Sequence, residues 1–254
     1  MIADYETLSW PKFRDLDRDR TFLILPVSST EQNGPHLPVG TDDYILQMFV
    51  SGLKDQEYEP DTNLLFMPRL SYGRSMEHMD FPGTVSLRPE TLIAQIDDIV
   101  GCAAEHGFRH VILLNSHGGN TGILFGVAQA WQKKHGIHVY GIDLSTLWPG
   151  IEAIPELSHI PVPREIHAGE IETSLMLYRY PELVDMTKAC TAMFELPGWQ
   201  TGWSTSDFTS DGVMGDAKAA TPEKGKLLYD FMTEKAAAVL RELMASNTGR
   251  PARA

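Results

Sequence analysis

Short apolar runs alternate with amphipathic helical segments along this chain, and that alternation constrains its fold more than any other feature. Four runs have the length and composition of buried strands: residues 21–27, 63–68, 111–114 and 137–144. Each run is followed by a polar loop and then by a segment with apolar positions at helical spacing. Repeats of strand, loop and helix predict a three-layer α/β/α fold with a mostly parallel central sheet.

The loop after the first predicted strand, residues 26–43, is dense in potential metal ligands. Glu31, His36 and Asp42 carry carboxylate or imidazole groups, which commonly bind divalent ions. Two glycines and two prolines between Glu31 and Asp42 favour an irregular backbone over helix or strand. Because open α/β sheets place their sites at the carboxyl ends of their strands, this loop predicts a metal site there.

Further loops carry ligand-type side chains at comparable places in the pattern. They are Glu77 with His78 in the loop 71–84, His117 in the strand-to-helix turn 115–120, and His167 with Glu172 at the start of a later helix. Each also has a structural explanation, because a histidine in a glycine-rich turn is commonly structural and Glu172 would stabilise a helix N-terminus through its dipole. Their clustering after the strands favours one shared site.

Composition narrows the possible functions. The chain has 254 residues and a formal net charge of −13, with a calculated pI near 5.1. Nucleic acids and anionic membranes are bound by basic patches, so the expected partner is a small-molecule substrate rather than either of these. Single α/β domains of ~200–250 residues are common, so one domain spanning 1–254 is predicted.

Cysteine usage and hydropathy indicate the cytoplasm. Cys102 and Cys190 form no CxxC pair, so the sequence predicts neither a disulfide framework nor a thiolate zinc site. The first residues show no secretory leader pattern, and no apolar run approaches the about 18 residues that a membrane span needs. We therefore expect a cytoplasmic protein.

Three other segments give weaker signals. Residues 145–166 contain four prolines and predict a long irregular loop, of the kind that is usually functional. Residues 185–220 resist assignment and are expected to cover the mouth of the site. Thr221 opens a last amphipathic helix, and a disordered tail is expected over 249–254.

Four segments together resemble the creatininase family of metal-dependent amidohydrolases: residues 26–42, 72–84, 115–120 and 167–174. Residues 212–216, Gly-Val-Met-Gly-Asp, resemble the C-terminal signature of that family. The resemblance covers nearly the whole chain in the right order. It implies a three-layer fold related to creatininase, a cytoplasmic homo-oligomer that is often a hexamer, and a site for one or two divalent ions, commonly zinc or manganese.

Carried over residue by residue, the resemblance implies two metal positions. Glu31, Asp42 and His117 hold one ion, and Asp42 bridges to a second position that Asn33 and Glu172 complete. The family has a histidine where this chain has Asn33, and an amide oxygen binds zinc more weakly than an imidazole does. We therefore expect one tightly held ion and a second that is weak or absent.

The same resemblance implies roles in catalysis and substrate binding. His167 matches the catalytic histidine of the family, and Glu172 is expected to assist it. Substrate contacts are expected from His36, His78, Arg164 and Gly118. For His36 a buried structural role is equally open.

Departures from creatininase proper bear on the substrate. Creatininase carries Trp-Asp shortly before its catalytic histidine and Tyr-Glu after its metal histidine, where this chain has Pro163-Arg164 and Gly118-Gly119. Creatinine is therefore not the expected substrate. Arg164 could instead meet a carboxylate, a phosphate or a polyhydroxylated ring through forked hydrogen bonds.

Three functions remain open on the sequence. The first is an amidohydrolase that uses a metal-activated water on the carbonyl of a small cyclic or formyl-bearing metabolite, breaking a carbon–nitrogen bond. The second is hydrolytic ring opening of a cyclic sugar- or inositol-derived ketone, an inosose, breaking a carbon–carbon bond. The third is a non-catalytic metal- or metabolite-binding protein, for which Asn33 is the main argument. The other matched site residues, all present together, favour an enzyme.

Overall fold

A parallel sheet lies at the centre of the computed structural model, which describes residues 1–157, 159–160, 165–192 and 202–248. Its strands are β1 (Ile2–Asp4), β2 (Thr21–Val27), β3 (Asn63–Phe66), β4 (His110–Asn115) and β5 (His138–Asp143). They lie in the order β1-β3-β2-β4-β5, and every neighbouring pair is parallel. The predicted parallel sheet is confirmed. The sequence does not predict β1, because an edge strand of three residues is too short to show a pattern.

The register of the sheet brings the carboxyl ends of its middle strands together. Val27 at the end of β2 pairs with Asn115 at the end of β4. Asn115 in turn pairs with Asp143 at the end of β5. The loops that follow these three strands therefore begin side by side at one edge of the sheet.

Helices cover both faces of the sheet. They are α1 (Trp10–Arg14), α2 (Thr41–Lys54), α3 (Pro89–Glu105), α4 (Gly118–His135), α5 (Glu170–Arg179) and α6 (Pro222–Asn247). Side chains of β2 alternate between the faces, as strand geometry requires. Phe22 and Ile24 join a core with α2, α5 and α6, whereas Leu23 and Leu25 join a core with α3 and α4. The predicted α/β/α layering is confirmed.

Two helix starts place charged side chains at the edge where the strands end. The first turn of α2 contains Asp42 and Asp43, and the first turn of α5 contains Glu170 and Glu172. Carboxylates are favoured there because the helix dipole is positive at its N-terminus. His117 lies directly before α4, in extended backbone at the N-cap position.

The segments that resisted assignment contain little regular structure within the described residues. Residues 145–157 form short 3₁₀ turns. Further along, β6 (Thr191–Ala192) pairs antiparallel with β7 (Gly215–Asp216). The predicted tail, 249–254, lies outside the described residues. None of the described helices combines the length and apolarity needed to cross a membrane.

Candidate metal centre

Five buried side chains from separate segments meet at the carboxyl edge of the sheet. Glu31 lies in the loop after β2, Asp42 in the first turn of α2, and His117 directly before α4. His78 ends a 3₁₀ turn, and His167 lies in the loop before α5. Each of the five is at most 7% exposed. Buried groups of this kind need compensating charges, hydrogen bonds or metal ions.

Glu31, Asp42 and His117 form what we call the first cluster. One ligand atom from each lies within 4.8 Å of the others. His117 Nδ1 is 3.0 Å from Asp42 Oδ2, and His117 Nε2 is 3.2 Å from Glu31 Oε2. The Ser29 hydroxyl lies within hydrogen-bond distance of both carboxylates, at 2.9 and 2.7 Å. The three residues predicted to hold the tight ion thus lie together.

Glu31, His78 and His167 form the second cluster, again with ligand atoms within 4.8 Å of one another. Glu31 Oε1 is 3.2 Å from His78 Nε2 and 3.5 Å from His167 Nδ1. Glu31 therefore belongs to both clusters, with one carboxylate oxygen toward each. The family resemblance implies the bridging role for Asp42 instead, and that role stays a prediction.

Gln32 connects the two histidines of the second cluster from outside. Its side-chain Nε2 lies 2.9 Å from His78 Nδ1 and 3.0 Å from His167 Nε2. The backbone carbonyl of Gln32 lies 2.8 Å from His167 Nε2, which can donate to it. Thr205 Oγ1 lies 3.0 Å from His78 Nδ1. These contacts on the outer ring nitrogens orient His78 Nε2 and His167 Nδ1 toward Glu31.

Burial and mutual charge set the protonation of the clusters. Burial raises the pKa of the Glu31 carboxyl to about 8 against the lowering effect of His117. Burial alone would lower the pKa of His117, but the Glu31 and Asp42 carboxylates raise it to about 10. Burial lowers the pKa of His167 to about 4 and also lowers that of His78. The second cluster therefore offers two neutral imidazoles, the form that binds metal ions.

The donor set of both clusters fits a divalent ion. Glu31 Oε1 is buried and has no hydrogen-bond partner within the described part of the chain, although two ring nitrogens lie within 3.5 Å. A cation between these groups would satisfy the carboxylate and both imidazoles. Combinations of carboxylate oxygen and imidazole nitrogen suit zinc and manganese.

Asn33 and Glu172, predicted to complete the second metal position, stand outside both clusters. Asn33 Nδ2 donates a 3.2 Å hydrogen bond to the backbone carbonyl of Glu31, and its Oδ1 is buried without a partner among the described residues. Glu172 Oε2 accepts a 2.5 Å hydrogen bond from the backbone N–H of Ala168. Their metal roles stay predictions, and the geometry offers His78 and His167 in their place.

The four residues predicted to contact substrate lie in different surroundings. His36 is buried, with Nε2 2.8 Å from Thr173 Oγ1, an environment that matches its structural explanation. Gly118 lines the cavity beside the clusters, where an added Cβ would meet no atom within 4 Å. His78 belongs to the second cluster, and Arg164 lies outside the described residues.

The clusters open into a cavity of about 540 Å³. Its lining includes the ligand residues of both clusters together with Arg74, Glu77 and the turn Gly118–Gly119. The apolar wall consists of Ile45, Leu144, Trp148, Ile171, Leu175 and Met232. Glu172 also lines the cavity, and burial raises the pKa of its carboxyl to about 8. A cavity of this size and mixed lining suits a small organic substrate.

Sequence reasoning missed three residues of the site. Gln32 stands next to Glu31 but has no ligand character of its own, and Arg74 in the loop 71–84 is a cation and therefore not a metal ligand either. Thr205 is distant in sequence and reaches His78 only through the folded chain. The one available signal was Glu77, which precedes His78 and lines the cavity with it.

Comparison with known proteins shows the family of this chain. The family described as creatininase, creatinine amidohydrolase, matches residues 6–240. A mycofactocin precursor peptide peptidase of Mycolicibacterium smegmatis is 28% identical over 89% of this chain and 87% of the relative. A creatinine amidohydrolase of Pseudomonas putida is 29% identical over 87% of this chain and 88% of the relative. A 3-dehydro-scyllo-inosose hydrolase of Thermotoga maritima is 24% identical over 94% of this chain and 83% of the relative.

Solved structures show the same fold. A manganese creatininase superposes with a TM-score of 0.78 at 25% identity, over 94% of this chain and 98% of that chain. A creatininase variant of the Zn-Zn type superposes with a TM-score of 0.77 at 25% identity, over 94% of this chain and 97% of that chain. The first of these structures is thus described with manganese and the second with zinc.

Proposed function

This chain belongs to the creatininase family and is a metal-dependent hydrolase, and from that premise we propose that it hydrolyses a carbon–nitrogen amide bond in a small metabolite other than creatinine. The observation that carries the proposal is the pair of ligand clusters that share Glu31 at the wall of a 540 Å³ cavity. Two of the similar hydrolases are named for amide or peptide substrates. The wall at Gly118–Gly119 lacks the side chains that creatininase proper carries there.

The residues present would hold up to two divalent ions. Glu31, Asp42 and His117 would hold one, and Glu31, His78 and His167 the other. When bound, such an ion supplies Lewis acidity, which polarises a carbonyl group and lowers the pKa of water. Zinc and manganese both suit these ligands.

Glu172 is the group we assign to proton transfer. It lines the cavity, and its Oε2 is fixed by the backbone N–H of Ala168. Because burial raises the pKa of this carboxyl to about 8, it is favoured in its protonated form and can give a proton to a departing nitrogen. His167 belongs to the second cluster, where it would bind a metal ion. Its catalytic role stays a prediction.

The apolar wall of the cavity excludes water from one side of the bound substrate. Leu144, Ile171 and Met232 are each at most 3% exposed and belong to the core under α2, α5 and α6. Amides that carry an aliphatic group fit this wall better than purely polar rings do, because burial of apolar surface stabilises the complex.

Turnover by zinc- and manganese-loaded protein tests the proposal. The assay uses N-formyl amino acids, five- and six-membered lactams, creatinine and an inosose. We expect hydrolysis of at least one formamide or lactam and none of creatinine. Exclusive hydrolysis of the inosose would support the carbon–carbon alternative, which the relative from Thermotoga maritima keeps open. Efficient creatinine hydrolysis would contradict the proposal.

A further inference from the structure

Arg74 presents a guanidinium on the cavity wall in a fixed position. Its Nη1 is 2.6 Å from Glu77 Oε2, and the Glu77 side chain is 11% exposed while that of Arg74 is 33% exposed. Both residues line the cavity. The largely covered Glu77 therefore holds the guanidinium of a partly exposed residue that lines the cavity.

The backbone of Arg74 is also tied to the turn that carries His117. The Arg74 N–H donates a 2.8 Å hydrogen bond to Asn120 Oδ1, and the Arg74 carbonyl lies 2.9 Å from His117 Nε2. A Cβ at Gly119 would lie 2.4 Å from both the Arg74 carbonyl and Glu77 Oε1. The glycine allows this close approach, so the pair sits directly against the first cluster.

The charge around Arg74 indicates what it binds. Among the described residues that line the cavity, four are carboxylates, Glu31, Asp42, Glu77 and Glu172, and Arg74 is the single lysine or arginine. A guanidinium has five N–H donors in a planar fork, and the contact with Glu77 engages one end of it. The remaining donors can bind a second carboxylate in the forked geometry that arginine favours.

We infer that Arg74 binds a carboxylate on the substrate and that Glu77 positions it for this task. The inference rests on the proposed amide hydrolysis and narrows its substrate class to amides that also carry a carboxylate, such as N-acyl amino acids. A phosphate dianion suits this wall less well, because it carries about twice the charge of a carboxylate and the described lining offers Arg74 as its single lysine or arginine.

A matched pair of substrates tests the inference. N-formyl-leucine and N-formyl-leucinamide share the scissile bond and differ in the charged group. In the metal-loaded enzyme we expect a higher kcat/KM for N-formyl-leucine. The substitution Arg74→Gln should reduce the ratio of the two kcat/KM values about 10–100-fold, the scale of a hydrogen bond between charged groups. Arg74→Lys should recover part of the ratio, and metal content should stay at the wild-type level.

Arg14→Gln is the control, since Arg14 pairs with Asp15 on the surface, and it should leave the ratio unchanged. An unchanged ratio in the Arg74→Gln protein would overturn the inference. So would equal losses on both substrates together with loss of metal, because that result assigns Arg74 a structural role.

A binding measurement keeps the inference separate from the proposed hydrolysis. If neither formamide is hydrolysed, the proposed activity fails for this class, and calorimetric titration with 4-methylpentanoate and 4-methylpentanamide still tests Arg74. We expect the wild type to prefer the carboxylate and Arg74→Gln to lose that preference. Equal binding of acid and amide by the wild type, or tighter binding of inorganic phosphate than of the carboxylate, would contradict the inference.

Discussion

The first and second clusters share Glu31 but differ in charge and in what holds their residues. The first combines two carboxylates with one imidazole, and the second combines one carboxylate with two imidazoles. Asp42 and His117 stand at the starts of helices that follow the central strands. His78 ends a 3₁₀ turn and His167 lies in a loop, and the two are linked to each other through Gln32.

This difference indicates how the two positions would treat their ions. Two carboxylates attract a divalent cation more strongly than one does. Neutral imidazoles favour zinc over harder ions such as magnesium. We therefore expect the first cluster to hold its ion more tightly and the second to select for zinc. A weak second ion then follows from the charge of the second cluster, without a direct role for Asn33.

The largest effect is expected from Glu31→Gln, because this residue belongs to both clusters. The variant should lose both ions on dialysis, and turnover should fall by about 10³-fold or more, since several kcal/mol of charge stabilisation is lost. Metal analysis and kinetics on the same sample measure this. Glu105→Gln, on the surface at the end of α3, is the control. Wild-type occupancy of either ion in the Glu31→Gln protein would show that Glu31 is not shared by the two clusters.

A second pair of variants separates proton transfer from metal binding. Glu172→Gln should retain both ions while turnover falls about 10²–10⁴-fold, the usual scale of general acid–base catalysis. His167→Gln should lose the ion of the second cluster and keep that of the first. Metal content per chain distinguishes them. If His167→Gln kept both ions while losing turnover, His167 would take the proton role that the sequence predicts for it.

Gln32→Met should weaken the second cluster selectively. The substitution keeps the side-chain length but removes the amide that lies near His78 and His167. Loss of such an outer contact typically costs 10–100-fold in metal affinity, roughly the effect expected here for zinc in the second cluster. Competition titration with a chelator measures both affinities. An equal loss in both clusters would show that Gln32 supports the whole loop rather than the two histidines.

The smallest effect is expected at His36, a buried histidine outside both clusters. Burial lowers its pKa to about 4 in the folded protein, so between about pH 4 and 6.5 the unfolded chain binds more protons. The free energy of unfolding should therefore fall as pH falls through this window. His36→Gln should remove up to about 3 kcal/mol of that dependence.

Denaturant unfolding of the wild type and His36→Gln at several pH values measures this dependence. The exposed His106 gives the control variant, His106→Gln, which should keep the wild-type slope. A wild-type slope in His36→Gln would show that His36 is not buried as a neutral imidazole.

Much of the fold could be predicted because its central strands are continuous apolar runs. The runs at β2 and β4 are fully buried, and a strand buried on both faces consists largely of apolar side chains. The three-residue β1 and the two-residue β6 and β7 lack that pattern and depend on their pairing partners. Their positions follow from tertiary structure alone.

The site, too, was predictable in part. The first cluster could be predicted, because Glu31, Asp42 and His117 lie next to the ends of predicted strands. The sequence also predicts that His78 and His167 reach the site, but not that they form a cluster with Glu31, because they are separated by a long stretch of chain and are linked through Gln32. No pattern in the sequence reports such contacts. The predicted homo-oligomer and the role of Arg164 stay predictions.

The most direct test of the shared ligand is a crystal structure of the zinc-loaded protein with anomalous scattering data. The account predicts two zinc peaks, one among Glu31, Asp42 and His117 and the other among Glu31, His78 and His167. Each peak should contact one oxygen of Glu31. Two peaks bridged by Asp42, with Asn33 and Glu172 as the remaining ligands, would contradict it.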